Sequence, residues 1–129
     1  MLAVDHRLRD SDSFRRTVRS GRRAGGAALV TYLRVGEPDG DLASASPRVG
    51  FVVSKAVGGS VVRNRVRRRL RHLVPAHLSA LPPGAELVVR ALPPSAALDS
   101  SELGAELARC LERVLRSDSA VAARTGAPS

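Results

Sequence analysis

Residues 48–74 read RVGFVVSKAVGGSVVRNRVRRRLRHLV, and three patterns follow one another within them. Over 48–54 (RVGFVVS) apolar residues alternate, with Val49, Phe51 and Val53 on one face, which is the period of a strand. Residues 55–60 (KAVGGS) form a Gly-rich turn. From about Val61 to Val74 the period becomes helical, and Val62, Val66, Leu70, Leu73 and Val74 fall within one arc of about 120°. Ser60 is placed to cap this helix. Asn64, Arg65, Arg67, Arg68 and Arg71 fill most of the remaining circumference, with Arg63 and Arg69 flanking the apolar stripe. The helix therefore buries one side and offers a comb of guanidinium groups on the other.

Upstream, residues 27–35 (AALVTYLRV) alternate as a second strand. Leu29, Thr31, Leu33 and Val35 share one face, and Val30, Tyr32 and Arg34 share the other. Residues 36–47 (GEPDGDLASASP) are a long, acidic, turn-rich loop, and a hairpin with an expendable tip is the natural way to join the two strands. Residues 10–20 read as a short helix with Asp10, Ser11 or Asp12 as its N-cap, Phe14 and Val18 on one face, and Gly21 at its end. A short extra strand fits around Arg22–Ala24. Downstream, Pro82, Pro83 and Gly84 close the basic segment, residues 86–92 (ELVVRAL) form a strand, and Pro93 and Pro94 stop it. Asp99 and Glu102 then have the spacing of a capping box. The helix they open carries Leu103, Leu107, Cys110, Leu111 and Val114 as its apolar stripe, which makes Cys110 a small core residue. Residues 118–129 are small and polar and are expected to form a disordered tail behind a single domain over 1–117.

The chain has 129 residues, enough for one modest core. Its net charge of +9 comes from 20 arginines and one lysine, Lys55, against 12 acids. That excess is concentrated: residues 42–85 hold seven Arg, Lys55 and no acid, whereas residues 86–129 are net negative. Ordinary surfaces mix signs, so a 44-residue stretch without an acid reads as a field for a polyanion. A single cysteine excludes an intramolecular disulfide and fits a reducing compartment. No apolar run nears the roughly 18 residues of a membrane span, and the N-terminus lacks a signal-peptide core. A soluble, cytoplasmic chain is expected.

Six of the nine residues from Arg63 to Arg71 are Arg. Arginine suits phosphate because its planar fork donates two parallel hydrogen bonds. Spacings of three and four set Asn64 beside Arg68 and Arg67 beside Arg71, a row able to track successive phosphates. The helix N-terminus behind Gly58 and Gly59 adds N–H donors. The GxxxxGK[ST] pattern of a nucleotide loop is absent.

These residues resemble the protein component of bacterial ribonuclease P. The resemblance runs from about Arg7 to Ser117 and rests on RLRDSDSF, the strand with Tyr32, RVGFVVSK, the Arg63-Asn64-Arg65 helix, ELVVRAL and the last helix. It implies an α/β fold: a single-domain two-layer sandwich in the order αβββαβα, with a four-stranded sheet and a left-handed βαβ crossover (ribosomal protein S5 domain 2-like). It also implies that Lys55, Arg63, Asn64, Arg65, Arg67, Arg68 and Arg71 contact the catalytic RNA subunit. Phe14, Val18, Tyr32 and Arg34 then fall at the cleft that takes the single-stranded 5′ leader of precursor tRNA. Phe14 equally suits core packing, since it shares an apolar face with Val18, whereas Tyr32 shares its face with Arg34. The sequence departs from the family pattern at Val18, where a second aromatic is common, at Ala56, where a lysine is common, and at Gly59, where an asparagine is common.

Nothing in the sequence reads as a catalytic constellation. His6, His72 and His77 are scattered, and no carboxylate pair or His/Cys metal spacing occurs. The resemblance implies Mg²⁺ held mainly by the RNA subunit, catalysis by that RNA, and a protein that assists removal of the leader as part of an endoribonuclease. No membrane or small-molecule substrate is expected. Two other classes share some of these features. A ribosome-assembly protein would have the same basic composition, but would not lower the Mg²⁺ needed to cleave precursor tRNA. A helix-turn-helix protein would need two adjacent helices and mixed polar base readers, which a nearly all-Arg face between strands does not provide.

Overall fold

A computed structural model describes residues 11–35 and 47–126. The candidate cap Asp10, the loop 36–46 and the last three residues of the tail lie outside the described residues. In chain order the elements are α1 (Ser11–Ser20), β1 (Arg22–Gly25), β2 (Leu29–Arg34), β3 (Arg48–Val53), α2 (Ser60–Leu73), β4 (Glu86–Ala91) and α3 (Ser100–Gly126). Short 3₁₀ segments at Val74–Ala80 and Pro93–Ala97 follow α2 and β4. This is the αβββαβα order, and the weakly marked strand at Arg22 is real, pairing antiparallel with β2.

The sheet order is β1-β2-β4-β3. The sequence suggested a hairpin between the second and third strands, and the sheet corrects this. β4 lies between them, antiparallel to β2 and parallel to β3. The reason is burial. β2 and β4 are the strands whose residues are nearly all removed from solvent, Arg90 of β4 excepted, and such strands take the two central places of a sheet covered on both faces. The parallel pair β3–β4 requires a crossover, and α2 supplies it.

α2 and α3 cover one face. Val66, Leu70 and Val74 from the basic segment and Leu103, Leu107, Cys110, Leu111 and Val114 from α3 pack on Leu29, Leu33, Val49, Val53, Leu87 and Val89. The apolar arc read from the sequence is thus the buried side of α2. Cys110 is fully buried, its thiol directed at the Leu29 carbonyl, and burial raises its pKa. It is packing, as its place in the stripe suggests. On the other face α1 covers a smaller cluster of Val30, Tyr32 and Val88, with Phe14, Val52 and Leu92 at its margin.

The start of α3 can be traced to particular atoms. The capping box forms as spaced: Asp99 N–H donates to Glu102 Oε1 at 3.1 Å, and Glu102 N–H donates to Asp99 Oδ1 at 2.8 Å. The expected Ser60 cap does not form. Ser60 is the first helical residue, and Gly59 is the N-cap with no side-chain bond. The turn before it uses Gly58 at φ +156°, where an added Cβ would crowd Val62. The α-helix ends at Leu73 because Pro75 cannot donate an N–H, so the chain tightens into 3₁₀ geometry. α3 runs helical to Gly126, and alanine in 118–126 favours that state.

α3 is fastened to the sheet by Glu106. Its carboxylate is 6% exposed and accepts from Ala28 N–H at 2.7 Å and from Arg109 at 3.0 Å. The backbone N–H of Ala28 is the main reason its pKa is lowered, outweighing the cost of burial, and Arg109 adds to it. A folded-state pKa below the unfolded value of about 4.3 gives stability that is present above that value and lost as pH falls through the folded one. Glu106→Gln is therefore expected to be less stable than the parent at pH 7, with the gap closing toward pH 3. Urea unfolding at the two pH values measures it, and a gap that does not change with pH contradicts the charge argument.

Candidate nucleic-acid interface

The burial of Val66 and Leu70 sets the rotation of α2, and three ridges of its surface follow. Val61, Arg65 and Arg69 form one. It leans on the 3₁₀ turn before α3: Arg65 Nη2 donates to the Ala96 carbonyl at 3.3 Å and Arg69 Nη1 to the Leu98 carbonyl at 2.6 Å. These two arginines brace the helix. Asn64, Arg68 and His72 form the outermost ridge, all exposed. Arg63, Arg67 and Arg71 form the third, partly exposed. Arg67 Nη1 donates to Asn64 Oδ1 at 3.1 Å, which links the second and third ridges. Lys55 is exposed in the turn before the helix.

The residues singled out on this helix thus separate by role. Arg63, Asn64, Arg67, Arg68 and Arg71 present donors on one continuous surface, and Arg65 is turned toward protein carbonyls. Within the Arg63-Asn64-Arg65 motif, Asn64 orients a cation one turn along rather than a neighbour. Acidic side chains are absent from the whole of α2, so nothing on the helix competes with a phosphate for these guanidinium groups.

A second surface lies on the opposite face of the sheet. The strand register sets Arg34, Glu86 and Arg48 in one row, Tyr32, Val88 and Gly50 in the next, and Val30, Arg90 and Val52 in a third. Arg23 stands beside Tyr32. α1 lays Phe14 over the middle row. Gly50 makes this possible, because a Cβ there would run into the Phe14 ring. Phe14 is half-buried and Tyr32 is 8% exposed, so of the two rings Phe14 is the more open. Val18, one turn further along α1, is 40% exposed and stands off the apolar cluster. Arg34 donates to Glu86 Oε1 at 2.7 Å.

Sequence reasoning missed four residues of this face: Arg16, Gly50, Glu86 and Arg90. A signal for two of them was available. In ELVVRAL the period of two puts Glu86, Val88 and Arg90 on one face, and an arginine inside an otherwise apolar strand needs an outlet to solvent. Arg90 has one, being the exposed residue of β4. Arg16 and Gly50 act through tertiary contacts that no local pattern carries.

A family model described as Ribonuclease P matches residues 2–115. The chain belongs to the ribonuclease P protein family. It is similar to the ribonuclease P protein component of a Nocardioides species, 58% identical over 114 residues that make up 88% of this chain and 95% of that one. It is likewise similar to the component from Streptomyces bikiniensis, 54% identical over 118 residues, covering 89% and 96% of the two chains. The RNase P protein of Staphylococcus aureus superposes with a TM-score of 0.71 at 23% identity, over 83% of this chain and 93% of that one. The Thermotoga maritima RNase P protein superposes with a TM-score of 0.66 at 22% identity, over 85% and 96%. At that identity these two structures speak for the fold alone. Within the ribonuclease P protein fold, then, this chain carries its arginine comb and the Phe14–Tyr32 surface on opposite sides of one sheet.

Proposed function

We propose that this chain is the protein subunit of ribonuclease P and assists endonucleolytic removal of the 5′ leader from precursor tRNA. The observation that carries the proposal is the outward surface of α2, where Asn64, Arg67, Arg68 and Arg71 lie together on an acid-free helix. This surface, with Lys55 and Arg63, would hold the catalytic RNA subunit. The face under α1, with Phe14, Tyr32, Val18 and Arg34, would hold the leader. A base stacks on an aromatic ring for about 1–3 kcal/mol whatever its sequence, and arginine beside it neutralises the phosphates that follow. Two surfaces on opposite faces allow one small protein to touch both RNAs at once.

Catalysis would reside in the RNA subunit. Mg²⁺ held mainly by that RNA would supply activated water and charge neutralisation for hydrolysis of one phosphodiester. Glu86 and Glu106, the buried carboxylates among the described residues, suit a different task. Glu86 sits between Arg16 and Arg34, Glu106 accepts from Ala28 and Arg109, and no three His, Cys, Asp or Glu among the described residues gather as metal ligands. The protein's part is to screen phosphate repulsion, grip the leader and so lower the Mg²⁺ requirement. Among the described residues no helix is long and apolar enough to cross a membrane, and a cytoplasmic site of action, with precursor tRNA as the substrate and no small-molecule substrate, follows from the proposed role.

Salt dependence tests the electrostatic core of this reading. With about five phosphates contacted, log K for the RNA subunit is expected to fall with log salt at a slope of about −3.5 to −4.5, from −0.7 to −0.9 per phosphate. Filter binding across a salt series gives the slope, and a flat response contradicts the assignment of the α2 comb.

A further inference from the structure

We infer that Glu86 is a positioning residue of the sheet face on which α1 packs: it fixes the guanidinium groups of Arg16 and Arg34 and holds α1 over the sheet, so that these cations and the Phe14 ring are set to receive a single strand of RNA. The inference rests on the reading of this face as the leader site.

Glu86 is the only carboxylate in the four strands. It stands in the row between Arg34 and Arg48 and is 5% exposed. Arg16, reaching from α1, bonds both of its oxygens at 3.1 and 3.2 Å, and Arg34 on β2 bonds Oε1 at 2.7 Å. One carboxylate therefore ties α1, β2 and β4 together at a single point. The Arg16 side chain stays 45% exposed and that of Arg34 28% exposed, so each guanidinium rests one side on Glu86 and meets solvent with another. Glu86 is followed in β4 by Leu87, Val88 and Val89, all wholly buried.

Stability alone is a poor reason for a carboxylate in that place. A buried ion pair contributes little that a well-packed apolar residue would not. Geometry is a better reason. A long arginine side chain loses much rotamer freedom when it is fixed against a ligand, and a carboxylate that has already fixed it removes that cost from binding. The group formed by Arg16, Arg34, Arg48 and Glu86 remains net positive, so it still attracts phosphate. Because Arg16 and Phe14 share α1, the same bonds set where the ring lies over Gly50 and Tyr32.

The test compares Glu86→Gln with the parent, each assembled with its RNA subunit, in binding 5′-extended precursor tRNA and mature tRNA. The preference for precursor is expected to fall about tenfold, the effect of losing one charge-assisted hydrogen-bond network. Affinity for mature tRNA and for the RNA subunit is expected to stay unchanged. Glu86→Asp keeps the charge and should retain most of the preference. In an Arg16→Gln/Arg34→Gln background, adding Glu86→Gln should have no further effect, because Glu86 acts through those two residues. Arg16 and Arg34 are partly exposed and can hydrate, so the variant is expected to fold. A Glu86→Gln protein that keeps the preference, loses it additively in the double background, or fails to fold overturns the inference. A parent protein with no preference for precursor overturns the leader reading itself, which separates the two failures.

Discussion

Charge reversal at Arg67 and Arg68 together, to Glu, is expected to weaken binding of the RNA subunit by about two to four orders of magnitude while leaving the fold intact. The size follows from losing two charge-assisted hydrogen bonds, each contributing about 1.5–3 kcal/mol, before the repulsion of two new carboxylates is counted. The choice of residues follows from the ridges of α2. Arg68 is exposed, and Arg67 donates to Asn64 on the same helix. Arg65 is the wrong residue for this experiment, although it stands in the Arg63-Asn64-Arg65 motif. It donates to the Ala96 carbonyl, so its reversal would set a carboxylate against a carbonyl and disturb the turn that leads into α3. Binding to the RNA subunit with circular dichroism as the control decides this. Retained binding by the folded double variant removes the α2 surface from the account.

Phe14→Ala is expected to weaken precursor tRNA binding by about tenfold with little change for mature tRNA. Loss of one stacking platform, about 1–3 kcal/mol, sets the scale. The ring is also half-buried against Val30, Tyr32 and Val88, so some stability goes with it, less than the roughly 3–5 kcal/mol of a fully buried aromatic. Gly50→Ala separates the two contributions. It leaves the ring in the chain but pushes it off the sheet, since the added Cβ would meet it. If stacking in this position matters, both variants lose the precursor preference. Equal weakening toward precursor and mature tRNA would give Phe14 a packing role only.

Much of this architecture is written locally. The switch from a period of two to a helical period within residues 48–74 locates β3, the turn and α2, and the arc from Val62 to Val74 is the buried side of the helix. The Asp99–Glu102 spacing locates the start of α3. Strand order was not legible. Proximity along the chain favoured a hairpin of β2 with β3, whereas the two most buried strands, β2 and β4, pair at the centre and leave β3 at an edge. The candidate site divides in the same way. The arginine comb is a property of one helix and can be read from spacing. The opposite face is assembled from α1, β2, β3 and β4, so Gly50 beneath Phe14 and Glu86 between Arg16 and Arg34 become visible only when those elements are packed. The same holds for Arg65 and Arg69, whose partners lie about thirty residues away in the turn before α3.

The most direct measurement is cleavage of a 5′-extended precursor tRNA by the cognate RNA subunit at low Mg²⁺, with and without this protein. The account predicts faster cleavage at the mature 5′ end when the protein is present. Unchanged cleavage, from folded protein and RNA shown to be active at high Mg²⁺, would contradict it and point to a different RNA as the partner of the arginine comb.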